Sequence, residues 1–165
     1  MSDGKAHAKA SKILAVFAGP ATGAICHTAG LGVVDSVLAG FGAAVGCGVL
    51  GLVLGPDLDQ PGVTAGEWVV IKRLGPLGWI FVSYWWLYAQ VIPHQHPTAR
   101  RNPLSHMPVV STLIRLIYLL WFPAGVVVSR GVQVPGWAAV VVAGMVVGLM
   151  VSDTGHWAMD YWRVG

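Results

Sequence analysis

The chain predicts an all-α, multipass membrane bundle of about four spanning helices plus one aromatic interfacial helix. Three observations carry that prediction. Of the 165 residues, 55% are hydrophobic and only 10% are charged, with a mean hydropathy of +0.67. A soluble globular domain carries about 25% charged residues. The 22 glycines and 8 tryptophans also suit a membrane chain, because Gly is common in spanning helices and Trp gathers at bilayer interfaces. The apolar residues fall into long runs separated by short polar words. The length fits a single membrane-embedded helical domain, residues 1–165.

Five apolar segments follow in order. The first, from His7 to Cys26, is rich in small residues and is read as a retained helix behind a lysine-bearing start. The second, from Leu31 to Leu54, has Asp35 as its one charge; a carboxylate at a helix start suits the dipole there. Gly40, Ala44 and Gly48 stand at helical spacing and predict close helix packing. The third, from Pro76 to Ile92, is short and dense in aromatics, with Trp79, Tyr84, Trp85, Trp86 and Tyr88, which suits the headgroup level. The fourth, from Pro108 to Ser129, opens on a proline fitted to a first helical turn and carries Arg115. The fifth runs from Pro135 to about Tyr161. Loops are expected from Gln60 to Gly66 and from Pro93 to Pro103.

Cys26 and Cys47 lie in apolar stretches and form no CxxC pair, so they read as packing residues. The net charge of +3 is modest and sits near segment ends. That excludes nucleic acid as the expected partner and favours the lipid bilayer, with anionic lipid contact. Walker A, nucleophile-elbow and HExxH motifs do not occur.

Only seven acidic residues occur, and four fall in two words, Pro56-Asp57-Leu58-Asp59 and Asp153-Thr154-Gly155-His156-Trp157-Ala158-Met159-Asp160. A carboxylate is costly to desolvate, and a metal ion is an economical reason to place several near histidines. After Pro56, Asp57 and Asp59 would share one face of an extended piece, as bridging and terminal ligands. The alternative is a solvated turn. Asp153, His156 and Asp160 share one helical face, with Asp153 as ligand, general base or outer orienter of a ligand. The alternative there is a His–Asp hydrogen bond between helices. His106 precedes the fourth segment, with Ser105 as a possible cap. His94 and His96 sit in a proline-bounded loop, and His7 opens the first segment. His27 is left out, as a packing or capping residue.

If segments one, two, four and five span and segment three does not, then His7, Asp57, Asp59, His94, His106, His156 and Asp160 all fall on one face. That face would also carry Lys5, Lys9, Lys12, Lys72, Arg73, Arg100, Arg101 and Arg163, against Arg130 on the other, so it is expected to be cytoplasmic. The expected location is an inner or plasma membrane.

The order of words Gly4-x-x-His7, Pro56-Asp57-Leu58-Asp59, Val91-Ile92-Pro93-His94, Leu104-Ser105-His106 and His156-x-x-x-Asp160 resembles a family of uncharacterised metal-binding membrane proteins. It is also similar to a broader group of membrane-bound metal-dependent hydrolases. The segments Leu74 to Tyr88 and Thr112 to Leu119 share the likeness, which runs from His7 to Asp160. The resemblance implies a small helical membrane protein with His7, Asp57, Asp59, His106, His156 and Asp160 as ligands. One departure stands out: Arg100-Arg101 occupies the place where the family reads His-Arg, which leaves His94 or His96 to supply that imidazole.

The expected function is metal-assisted hydrolysis of a phosphoester or other lipid-proximal substrate. The expected cofactor is a divalent ion, zinc or manganese, in a mononuclear or dinuclear site. Asp59 or Asp153 would act as general base, and Arg101 would hold an anionic group. The alternative is a structural metal in a membrane scaffold or partner-binding protein. Ion transport would want ionisable residues near mid-membrane, whereas these sit mainly at segment ends.

Overall fold

A computed structural model describes residues 4–55, 58, 63–92 and 107–162, with the backbone alone at 4–8, 65 and 162. The described residues form six helices and no strand. Helix α1 is Gly4–Thr28. Helix α2 begins as Val33–Val45, continues through a π-helical turn at Gly46–Leu50 and ends with Gly51–Val53. Helices α3 (Ala65–Leu74) and α4 (Pro76–Val91) form a hairpin. Helices α5 (Pro108–Ser129) and α6 (Gly136–Trp162) follow.

Three of these helices are long and apolar enough to cross a bilayer: Val33–Val53, Pro108–Ser129 and Gly136–Tyr161. Their outward faces are apolar, with Val34, Phe41, Ile117, Phe122, Val128 and Trp137 all at least 60% exposed. Such faces suit hydrocarbon better than water. Helix α1 is not among the three; Lys5, Lys9 and Lys12 fall in its first half.

Small residues close the bundle. A Cβ added at Gly40 would stand 2.7 Å from the Gly19 carbonyl oxygen, and one added at Gly48 would stand 3.1 Å from Ala15 Cβ. The expected stripe of Gly40, Ala44 and Gly48 therefore packs against α1. A second stripe faces α6: Cβ atoms at Gly42, Gly46 and Gly148 would stand 2.2, 2.1 and 2.0 Å from the carbonyl oxygens of Val141, Met145 and Ala43. Between helices in lipid, association depends on close van der Waals packing, and side chains at these positions would hold the backbones apart. The pairings run antiparallel between α1 and α2 and parallel between α2 and α6.

Helix α3 departs from expectation, because the loop expected from Gln60 to Gly66 contains its start. Thr64 and Glu67 form a capping box: Thr64 N donates to Glu67 Oε2 at 2.7 Å, and Glu67 N donates to Thr64 Oγ1 at 3.2 Å. That reciprocal bonding satisfies two otherwise orphaned helix-start donors. Gly75 at φ +57 then turns the chain sharply into Pro76, and α4 packs back on α3 so closely that a Cβ at Gly78 would stand 2.5 Å from Ile71 Cα.

Helix α4 begins and ends close to expectation, but its aromatics divide. Trp79 and Trp86 are exposed, while Trp85 and Tyr88 are buried in a cluster with Leu54, Leu58 and Leu149. Tyr84, Trp85 and Tyr88 all pack on the Tyr118 ring of α5, at centroid distances of 4.5, 5.6 and 5.1 Å. The Tyr118 hydroxyl donates to the Tyr84 carbonyl at 2.7 Å, and the Tyr84 hydroxyl donates to the Tyr118 carbonyl. One face of α4 is thus bundle core, where a tyrosine needs a partner for its hydroxyl.

Candidate metal centre

Helix periodicity puts Asp153, His156 and Asp160 on one face of the last turns of α6. Nε2 of His156 stands 3.2 Å from Oδ2 of Asp160, and the two side chains are only 8% and 11% exposed. Donors about 2.0–2.2 Å from a shared tetrahedral ion lie about 3.3 Å apart. The pair therefore fits a common cation, as it also fits a direct hydrogen bond. An imidazole and a carboxylate suit a borderline divalent ion.

One turn deeper, Asp153 is 2% exposed and bridges to α5. Its Oδ2 pairs with Nη2 of Arg115 and lies beside the Thr112 hydroxyl. That hydroxyl has one hydrogen and a second acceptor, the Pro108 carbonyl at 2.8 Å. Thr112 Oγ1 thus stands within hydrogen-bond reach of both oxygens. Arg115, also 2% exposed, is held from its own helix by Ser111, through Nε to the carbonyl at 3.2 Å and Nη2 to the hydroxyl at 3.4 Å. Among the described residues, Asp153 Oδ1 and Arg115 Nη1 have no hydrogen-bond partner. Arg115 and Thr112 were not among the expected site residues. The available signal was a lone cation, Arg115, on one apolar helix and the inner of two carboxylates, Asp153, on the next.

Helix register sets what surrounds this face. Pro108 lies two turns before Arg115, and Asp160 lies two turns after Asp153, each about 10 Å along its axis. The start of α5 therefore comes level with Asp160. Ser11 Oγ and Ser152 Oγ hydrogen-bond at 2.9 Å, and a Cβ at Gly51 would stand 2.2 Å from Ser152 Oγ. The start of α1 and the end of α2 thus meet the same end of α6. Residue 7, one turn before Ser11, stands on the α1 backbone at the level of the turns that carry His156 and Asp160. Leu58, between Asp57 and Asp59 in sequence, is 3% exposed in the core beside Leu54 and Leu149.

The remaining expected site residues, Asp57, Asp59, His94, His96, Arg101 and His106, lie outside the described residues, as do Ser105 and Arg100. Among the described residues, no group of three or more His, Cys, Asp or Glu side chains converges. His27 lies at the opposite end of α1, lining an open apolar crevice with Pro20, Ser36 and Phe41. Cys47 is buried, with its thiol directed at the Ser11 carbonyl at 3.5 Å, and both cysteines are free.

The described residues thus form a small helical bundle, three of its helices apolar enough to cross a membrane, with an imidazole–carboxylate pair at one end. The chain belongs to the family described as "Uncharacterized metal-binding protein (DUF2227)", whose model matches residues 3–164. No curated protein and no solved structure matches.

Proposed function

We propose that this chain is an integral membrane metal-binding protein that holds a divalent cation at the end of the bundle where α1, α2, α5 and α6 meet. The observation that carries the reading is the buried His156–Asp160 pair, 3.2 Å apart at that end. Family membership supports it. His7, Asp57, Asp59, His106 and His94 complete the proposed ligand set. All five belong to segments whose described neighbours, Ser11, Leu54, Leu58, Ile92 and Pro108, stand near that end or pack in its core. The proposed side is cytoplasmic, from the excess of Lys and Arg on the segments that end there.

The activity we attach to the site is hydrolysis of a phosphoester or other substrate beside the headgroups. A bound cation supplies Lewis acidity to the substrate oxygen and acidifies a water. Arg101 would hold an anionic group, and Asp59 would accept a proton. Asp153 suits an orienting role, because Arg115 already engages one of its oxygens. A second reading is a structural metal that ties the helix ends of a partner-binding scaffold. The burial of both His156 and Asp160 favours it. A closed coordination sphere belongs to a structural site, an open position to a catalytic one.

Elemental analysis of the protein purified without chelators tests the metal. Stoichiometric zinc or manganese, lost in both His156→Ala and Asp57→Ala, is the expected result. Metal-free protein, or full occupancy in both variants, would remove the site. Incubation of the metal-loaded protein with a lipid phosphoester then separates the two readings. Metal-dependent turnover supports the hydrolase, and tight metal without turnover supports the scaffold.

A further inference from the structure

We propose that Arg115 is a positioning residue for the metal centre, acting through Asp153 to fix the face of α6 that carries His156 and Asp160. The inference rests on the metal-site reading above. Four observations lead to it. First, the Arg115–Asp153 pair is fully inside the bundle, each residue 2% exposed, and it joins α5 to α6. Second, a buried ion pair is a poor means of stabilising such a contact. Desolvation of both charges offsets their attraction, and apolar side chains of similar volume close the same gap at least as well. An intramembrane pair of this kind points to function. Third, the guanidinium is itself fixed by two contacts to Ser111, so Nη2 is presented to Asp153 as a fixed donor rather than a swinging charge. Fourth, Asp153 sits three residues before His156 and seven before Asp160, on the same face.

The consequence is mechanical and electrostatic. Arg115 and Thr112 both act on Oδ2 of Asp153, which locks the rotation of α6 about its axis where the imidazole and the second carboxylate project. The other oxygen, Oδ1, is buried and without a described partner, so Asp153 keeps an acceptor for a donor on the ligand side. Outer partners of this kind set ligand orientation, and their loss typically weakens metal binding by about 10- to 100-fold.

The test uses the full chain in detergent, with cobalt(II) as the probe. Its visible absorption reports coordination geometry, and chelator competition gives its affinity. Arg115→Met combined with Asp153→Leu replaces the pair by apolar side chains. The expected result is a thermal midpoint close to the native one, cobalt affinity weaker by about 10- to 100-fold, and a displaced absorption band. Thr112→Val, which removes one hydroxyl and leaves the ion pair, is the second variant and holds if the double variant does not fold. It should weaken cobalt binding by about 3- to 10-fold with a smaller band shift. Native affinity and an unchanged band in a folded variant would overturn the proposal, because a merely structural pair leaves both unmoved. Absence of cobalt binding in the native chain would overturn the metal site itself, and the positioning role with it.

Discussion

Ser11 and Ser152, 141 residues apart, share a buried hydrogen bond of 2.9 Å. It ties the start of α1 to the end of α6 beside Gly51, the one residue type at that position of α2 that leaves room for the Ser152 hydroxyl. Because α1 and α6 run antiparallel, this bond sets their register. One turn outward, in opposite sequence directions, come His7 and His156. This small polar junction lies within the span Gly136–Tyr161, one turn before His156.

Metal content should separate the two ends of α1 and α6. His156→Ala and Asp160→Ala each remove one of two buried donors 3.2 Å apart, and should each lower zinc or manganese occupancy at least about 10-fold. His27→Ala lies at the far end of α1, more than about 20 Å from Ser11 by helical rise, and should leave occupancy unchanged. Elemental analysis of the three variants is the check. Equal losses in all three would show that the loss reports unfolding rather than a ligand.

A packed and an unpacked glycine predict opposite outcomes for one substitution. Gly148→Ala would put a Cβ 2.0 Å from the Ala43 carbonyl and 2.7 Å from Cys47 N, both backbone atoms that cannot swing aside. Separation of α2 from α6 should cost about 1–3 kcal/mol. Gly125→Ala, on α5, meets nothing within 4 Å, and should change stability by less than about 1 kcal/mol in the stabilising direction. Unfolding in detergent, followed by circular dichroism, measures both. A destabilised Gly125→Ala with a native-like Gly148→Ala would reverse the packing assignment.

What the sequence made legible follows from which physics is local. The spans Val33–Val53, Pro108–Ser129 and Gly136–Tyr161 were readable because hydropathy over about 20 residues is a property of the segment alone. The stripe of Gly40, Ala44 and Gly48 was readable for the same reason, though its partner on α1 was not. The start of helix α3 differs from the expected loop although Thr64-x-x-Glu67 is a local signal, because the glycines and the proline around it read equally as loop. The division of α4 into exposed Trp79 and Trp86 and core Trp85 and Tyr88 was not legible. It depends on Tyr118, 30 residues after Tyr88, and on where α5 packs. The pairing of Arg115 with Asp153 depends likewise on the register of two helices, and nothing in either segment alone supplies that register. Of the site, the His156–Asp160 spacing was legible as a helical repeat.

The α3 capping box should matter locally. Thr64→Ala removes the acceptor for Glu67 N and leaves Glu67, which is 4% exposed, with a less defined carboxylate. The expected cost is about 1 kcal/mol, confined to the first turn of α3. Hydrogen exchange should rise about 5-fold for the amides of Glu67 and Trp68 and stay constant in α6. A uniform rise through α6 would mean that α3 folds as one unit with the bundle.

The last prediction concerns sidedness. By register, the turn between α1 and α2 (29–32) and the turn between α5 and α6 (130–135) lie at the end of the bundle away from Ser11 and Ser152. Gln90 is exposed on α4 one turn from Trp86 and adjacent to buried Ala89, close to the cluster that includes Leu58. With Cys26 and Cys47 replaced by alanine, Gly30→Cys and Gly131→Cys should react with an impermeant maleimide added outside intact cells. Gln90→Cys should react only after permeabilisation, because the proposed topology holds the lysine- and arginine-rich end in the cytoplasm. Gly30 and Gly131 both have positive φ, +96 and +60, so the substitutions strain turns at the surface rather than the packed helices. Opposite labelling of Gly30→Cys and Gly131→Cys would break the four-crossing topology. Labelling of Gln90→Cys together with them from outside would instead place α4 across the membrane, and the proposed ligand words after α2 and after α4 on different sides of it.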